Sequence, residues 1–195
     1  MKKVLIYPGA FNPPHNGHIA TLELALGKYS FDEVWIIPSG NREDKKIEIP
    51  FSDRKSLNTF FVNYLNERLS TRCVLRTDEF DNPENKTTSQ ILKELKSEPG
   101  IEFTQLAGLD SYLFLKEKIG NLILEDNFIV ISNRLEYNIP EGFIFPENHK
   151  FIESEKPEDI SSTKIRNLVK NNDISYEKLT ILEIAKYIKE HKLYI

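Results

Sequence analysis

Two histidines three residues apart, His15 and His18, stand in the stretch Gly9-Ala10-Phe11-Asn12-Pro13-Pro14-His15-Asn16-Gly17-His18. That spacing can aim both imidazoles at one point beside a helix N-terminus, where unpaired backbone N–H groups and the helix dipole already favour anions. There they can donate hydrogen bonds to phosphate oxygens and stabilise the charge that builds up as a pyrophosphate departs. Gly9 has no side chain and lets a phosphate approach the main chain closely. Pro13 and Pro14 stiffen the loop, so less entropy is lost when a ligand docks. A Pro-rich turn with two surface histidines is the plain alternative, but two of only four histidines falling together in this setting favours chemistry. A zinc pair is a weaker rival, because no third or fourth ligand stands at a matching spacing.

A second candidate phosphate device is Ile160-Ser161-Ser162-Thr163-Lys164-Ile165-Arg166. Ser161 or Ser162 can cap a helix there, and the freed N–H groups, with Thr163, can cradle phosphate. Arg166 falls one turn in, where a forked guanidinium can clamp two phosphate oxygens. The ordinary alternative is a capped helix with a solvent-facing arginine. Gly108-Leu109-Asp110 offers a carboxylate able to accept from ribose hydroxyls, with Gly108 leaving room for the sugar, and Asp110 could equally cap the next helix. In the charge-rich run Ser39 to Lys46, either Lys45 or Lys46 can neutralise triphosphate charge, although such loops are often merely solvated.

Short apolar runs alternate with longer amphipathic ones around these loops, which is how a βαβ series reads. Strands are expected at Lys3–Tyr7, Val34–Pro38, Val74–Thr77, Phe103–Ala107 and Phe128–Ser132, with a further short one considered at Lys150–Ile152. Helices are expected at Gly17–Lys28 (capped by Asn16), Ser52–Leu69, Ser89–Leu95, Ser111–Lys118, Ser162–Lys170 and Lys178–His191. The architecture is therefore α/β: a Rossmann-like open parallel sheet of about five strands with helices on both faces. A single domain over residues 1–195 is expected, with a small helical portion of roughly 157–195 packed on it. Ligands of such sheets lie beyond the carboxyl ends of the strands where strand order reverses, which points to the loops after the first and fourth strands.

Bulk properties narrow the partners. A net charge of −4 over 195 residues gives no general attraction to nucleic acid or to an anionic membrane, so bound phosphate must be held by a local device. Cys73 is the only cysteine and cannot form an internal disulfide; in Cys73-Val74-Leu75 a buried strand thiol is expected. The apolar run after Met1-Lys2-Lys3 is too short for a secretory signal, and none approaches the roughly 18 residues of a bilayer span. The expected setting is a reducing cytoplasm.

The first loop resembles the His-x-Gly-His signature of the adenylyl- and cytidylyltransferase superfamily. In its Gly-x-Phe-Asn/Asp-Pro form it is similar to the nicotinate and nicotinamide mononucleotide adenylyltransferases. Asn12 stands where bacterial members usually carry Asp, and Asn is familiar from eukaryotic ones. Residues 160–166 closely resemble the family's Ile-Ser-Ser-Thr-x-Ile-Arg signature, nearly a chain length away and in the right order. The ending Tyr187 to Tyr194 also resembles the close of the bacterial enzymes, extending the likeness over essentially the whole chain. No chemistry is expected of that ending: Tyr187, Ile188 and Leu193 would pack a terminal helix, and His191 would sit on the surface.

The resemblance implies transfer of AMP from ATP to nicotinate mononucleotide, with Mg²⁺ held mainly through ATP and no protein metal ligand. It assigns His15, His18 and Arg166 to catalysis. Gly9, Ala10, Phe11, Lys45, Gly108, Asp110, Ile160, Ser161, Ser162 and Thr163 would bind ATP, and Asn12, Thr88 and Arg134 the acceptor. Arg54 resembles a further family arginine. The segments at 39–46 and after Arg134 depart from the bacterial sequence, where Pro-Pro-His-Lys and Arg-Pro-Gly are usual. The same chemistry on nicotinamide mononucleotide or phosphopantetheine, and a nucleotide-sensing module without turnover, are the alternatives. A fragment of an aminoacyl-tRNA synthetase fails on length and on the lack of a basic surface. Homo-oligomerisation and the physiological direction are left open.

Overall fold

A computed structural model describes residues 1–40, 49–81, 88–96, 99–119, 126–133, 138–157 and 159–195. Its strands are β1 (Lys2–Gly9), β2 (Glu33–Pro38), β3 (Arg72–Leu75), β4 (Ile101–Gly108), β5 (Asn127–Ser132) and β6 (His149–Glu153). The helices are α1 (Asn16–Leu26), α2 (Phe51–Arg68), α3 (Asp78–Asp81), α4 (Thr88–Lys96), α5 (Leu109–Ile119), α6 (Ser162–Lys170) and α7 (Leu182–Glu190). All six strands join one sheet in the order β3-β2-β1-β4-β5-β6, and every neighbouring pair is parallel. The order reverses between β1 and β4, so a crevice opens where the chain leaves these two strands. Ile6 pairs with Gln105, the last pair between these strands, which run on to end at Gly9 and Gly108.

Val4, Leu5 and Ile6 at the centre of β1 are wholly buried, as a strand covered on both faces requires. On one face Leu5, Tyr7, Val34, Ile36, Leu106, Ile129 and Ile131 form a core with Leu22, Leu57, Phe61, Ile165, Ile184 and Ile188 from α1, α2, α6 and α7. The opposite face is covered in two patches. Val4, Ile6, Trp35 and Ile37 meet Ile91 and Leu95 of α4, while Phe128 and Val130 meet Tyr112 of α5.

The sheet has six strands where about five are expected, because the short run at 150–152 does pair with β5. Two helix starts also differ. His15, not Asn16, caps α1: its backbone is extended, its carbonyl accepts from the His18 N–H (2.9 Å) and its own N–H donates to His18 Nδ1 (3.1 Å). The Asn16 side chain donates instead to the carbonyl of Lys178. The last helix begins at Leu182, because Asp173 accepts from the Ser175 N–H and starts a separate 3₁₀ turn at Ile174–Lys178. Among the described residues no helix is long and apolar enough to cross a membrane.

Cys73 lies on β3, its backbone clasped by Asn66, which accepts from the Cys73 N–H (2.7 Å) and donates to its carbonyl (2.9 Å). Burial pushes its thiol up to about 11. The folded protein should therefore resist thiol-disulfide reagents at pH 8 and react only as it unfolds. Stoichiometric labelling of the native protein at the rate of a free thiol would contradict this placement.

Candidate active site

The segment between β1 and α1 has too few residues to make a core, yet Phe11, Asn12, Pro13, Pro14 and His15 are all buried. Its main-chain carbonyls are held one after another by side chains from far along the chain. Arg54 donates to the Ala10 carbonyl at 3.2 Å, and Asn58 lies 3.4 Å from that of Phe11. Arg166 Nη1 donates to Asn12 (2.8 Å), the Ser162 hydroxyl to Pro13 (2.8 Å) and the Thr180 hydroxyl to Pro14 (2.7 Å). Among the described residues no hydrogen bond engages the N–H of Ala10, Phe11 or Asn12. The loop thus spends its acceptors on the protein and keeps donors for an anion.

Phe11 adopts a left-handed backbone (φ 43°), a conformation costing on the order of 1–3 kcal/mol for a residue with a side chain. Burial of its ring compensates: it packs on Tyr7 (5.2 Å between centroids), Phe61 (5.8 Å) and His18 (4.7 Å). A Cβ on Gly9 would come within 3.0 Å of this ring, so Gly9 is glycine in part to admit Phe11. Phe11 therefore offers a ligand its backbone, not its aromatic face.

His15 and His18 stack with ring centroids 3.7 Å apart. His15 is buried, whereas His18 is half-buried and closer to solvent. The His15 N–H donates to His18 Nδ1 at 3.1 Å, so neutral His18 carries its proton on Nε2. That arrangement supplies an oriented donor without requiring a charged ring. The glycine between them is dictated by the same stack: a Cβ at Gly17 would lie 3.1 Å from both Cε1 and Nδ1 of His15. Gly108 follows the same rule, since a Cβ there would meet Asp110 Oδ1 at 2.7 Å. Asp110 sits in the first turn of α5, not at its cap, at the carboxyl end of β4.

The second device faces the first. Ser161 caps α6 and accepts from the Lys164 N–H (3.1 Å), and Thr163 Oγ1 accepts from Arg166 Nη2 (3.0 Å). Because Arg166 also holds Asn12, its guanidinium bridges the α6 N-terminus and the first loop. Ser162 is committed to the Pro13 carbonyl, so only its backbone N–H is left for a ligand. The carbonyl of Ile160 lies beneath Gly17, 3.6 Å from where a Cβ would stand.

Arg54, offered in the sequence only by resemblance, is joined by several supporting residues that sequence reasoning misses. Arg54 is fully buried, and its Nη2 bonds the carbonyls of both Ala10 and Ser39, tying together the loops after β1 and β2. Asn58 lies on the same inward stripe of α2 as Leu57, Phe61 and Leu65; a polar residue at a core position is the signal that could have exposed it. Asn133, after β5, donates to the Gly17 carbonyl and the Thr21 hydroxyl, fixing the first turn of α1. Tyr194 donates to Asn12 Oδ1 at 2.6 Å. Lys45, Lys46 and Arg134 lie outside the described residues, and Thr88 opens α4. No group of three or more His, Cys, Asp or Glu among the described residues could hold a metal ion.

Fold and site together define an α/β protein whose candidate anion-binding groups gather at the reversal point of a parallel sheet. A family profile described as cytidylyltransferase-like matches residues 6–168, and the chain belongs to that family. Among relatives, it is 29% identical over its full length to the full length of the probable nicotinate-nucleotide adenylyltransferase of Clostridium acetobutylicum. It is 26% identical to the nicotinate-nucleotide adenylyltransferase of Bacillus subtilis, covering 100% of this chain and 99% of the relative. Among solved structures, the fold matches nicotinic acid mononucleotide adenylyltransferase of Plasmodium falciparum complexed with APC, with a TM-score of 0.82 and 24% identity. That likeness covers 100% of this chain and 98% of the other.

Gly17→Ala tests the packing argument. Alanine inside a helix is ordinarily about 1 kcal/mol better than glycine. Here it should bring no such gain and should lower turnover about tenfold or more, by displacing the His15 ring from its stacked position. A variant more stable than wild type and fully active would refute the account.

Proposed function

We propose that the protein moves the AMP half of ATP onto nicotinate mononucleotide, giving nicotinate adenine dinucleotide and pyrophosphate. The observation that supports this reading is that two candidate phosphate-binding pairs, His15 with His18 and Thr163 with Arg166, meet at one loop through the Arg166 to Asn12 bond. Full-length relatives named for this activity support the same acceptor.

The acceptor phosphate is already anionic, so no side-chain nucleophile is required. An oxygen of that phosphate attacks the α-phosphorus of ATP; the new P–O bond forms as the bond to the β-phosphate bridging oxygen breaks, and pyrophosphate departs with the electron pair. Catalysis rests on alignment and on charge stabilisation. The N–H groups of Ala10, Phe11 and Asn12, with His15, His18, Thr163 and Arg166, hold phosphate oxygens. The Nε2–H of His18 meets charge growing toward the leaving group. Gly9 permits close approach, the α6 N-terminus from Ile160 through Ser162 adds backbone donors, and Lys45 contributes from the second loop. Gly108 and Asp110 hold the adenosine at the end of β4. Asn12, Thr88 and Arg134 serve the acceptor. Mg²⁺ enters as part of the Mg-ATP substrate, coordinated by phosphate oxygens and water. A reducing cytoplasm is the compartment.

Pyrophosphate release should be seen with Mg-ATP plus nicotinate mononucleotide, and far more slowly with nicotinamide mononucleotide or phosphopantetheine. ATP binding with silence on all three would favour the sensing alternative. His18→Ala should lose about 10²-fold or more in turnover while melting like wild type, as loss of an oriented donor predicts; unchanged turnover would remove His18 from the reaction.

A further inference from the structure

The segment after α7 returns to the active site by a definite route. Lys192 is left-handed (φ 51°); its N–H meets the Lys189 carbonyl at 3.4 Å, and the Leu193 N–H donates to Ile188 at 3.0 Å. These are the two bonds of a Schellman stop, accompanied by the usual apolar contact between the residues at its ends, Ile188 and Leu193, both in the core. The turn reverses the chain and buries Leu193. Tyr194, itself left-handed (φ 66°), is then delivered beneath the first loop with 9% exposure. Its hydroxyl donates to Asn12 Oδ1 at 2.6 Å, across 182 positions of sequence.

Asn12 is held at both of its oxygens. Arg166 occupies the main-chain carbonyl and Tyr194 the side-chain one. A carboxamide has one acceptor end and one donor end, so fixing Oδ1 fixes the direction of Nδ2. Among the described residues nothing accepts from Nδ2. Burial pushes the Tyr194 phenol well above its usual range, which keeps it a donor.

We infer that Tyr194 is a positioning residue for acceptor recognition, locking the Asn12 carboxamide so that its N–H₂ faces an anionic oxygen of the mononucleotide. The inference rests on the proposed adenylyl transfer and on Asn12 serving the acceptor. Three structural details favour it over simple packing. The contact is made by the polar tip of the tyrosine. It ends on a side-chain atom, where the neighbouring clamps end on carbonyls. A dedicated turn with two left-handed residues in three brings the ring there.

Tyr194→Phe keeps the ring and removes only the hydroxyl. The test measures initial rates of pyrophosphate release with Mg-ATP and nicotinate mononucleotide varied separately, for wild type, Tyr194→Phe, Asn12→Ala and the double variant. The expected result is an acceptor KM raised about tenfold, the scale of one oriented hydrogen bond, with the ATP KM within twofold of wild type. In the Asn12→Ala background the second substitution should add nothing, because the group it orients is gone. A Tyr194→Phe enzyme with unchanged acceptor KM, with both KM values raised alike, or with a full additional loss on top of Asn12→Ala would overturn the proposal. Thermal melting of each variant separates these from unfolding: should Tyr194→Phe melt below the assay temperature, Asn12→Ala alone must still raise the acceptor KM selectively, and failure to do so also overturns it. A wild-type protein silent with every acceptor would sink the transfer reading itself, and is seen before any variant is made.

Discussion

Everything at the active centre depends on how a short loop with almost no regular structure is kept in one shape. A buried peptide carbonyl without a partner costs free energy comparable to a lost hydrogen bond. Here the carbonyls of Ala10, Asn12, Pro13 and Pro14 are each satisfied by a side chain from α2, α6 or the segment before α7. The donors that satisfy them are therefore fixed as firmly as the loop is. Arg166 illustrates the reciprocity, since the bond that orders Asn12 also orders the guanidinium proposed to bind phosphate. Preorganisation of this kind removes entropy cost from ligand binding in advance.

The same principle explains how a chain with a net charge of −4 could hold the highly charged substrate proposed for it. Attraction is local and directional. Arg54 brings positive charge to within hydrogen-bond distance of the loop, two helix N-termini open toward it, and His18 presents an N–H whose direction is set by a backbone bond to its other nitrogen. Water and counterions screen charges at the surface, whereas buried donors act in a medium of lower dielectric and are screened far less.

Much of this was legible in the sequence, and the remainder was not for a consistent reason. Strand β1 is a continuous apolar run, and Ser162–Lys170 has a capping serine and an amphipathic stripe, so both are read with correct or nearly correct bounds. Local composition carries such elements. His15, His18 and Arg166 stand out because their residue types and spacing have few structural uses. Asn58, Thr180 and Tyr194 did not, because their meaning lies in partners that are remote in sequence, and Arg54 did so only by resemblance. Asn58 donates to Phe11 and Tyr194 to Asn12, and neither motif contains any trace of the other. The cap of α1 was misassigned for a related reason: Asn16 is the better cap by type, but its side chain is drawn away to Lys178.

The span of the Tyr194 to Asn12 bond bears on how the molecule is made. Residues 9–18 emerge from the ribosome well before the groups that clamp them, and at about 5–20 residues per second the lag to residue 194 is roughly 10–40 s. During that interval β1, β2 and β4 have emerged, but the loop lacks Arg166, Ser162, Thr180 and Tyr194. The nascent chain thus holds the residues of its central strands before it holds those that clamp the loop. Until that segment has emerged, the loop between β1 and α1 is without several of the side chains that fix its shape.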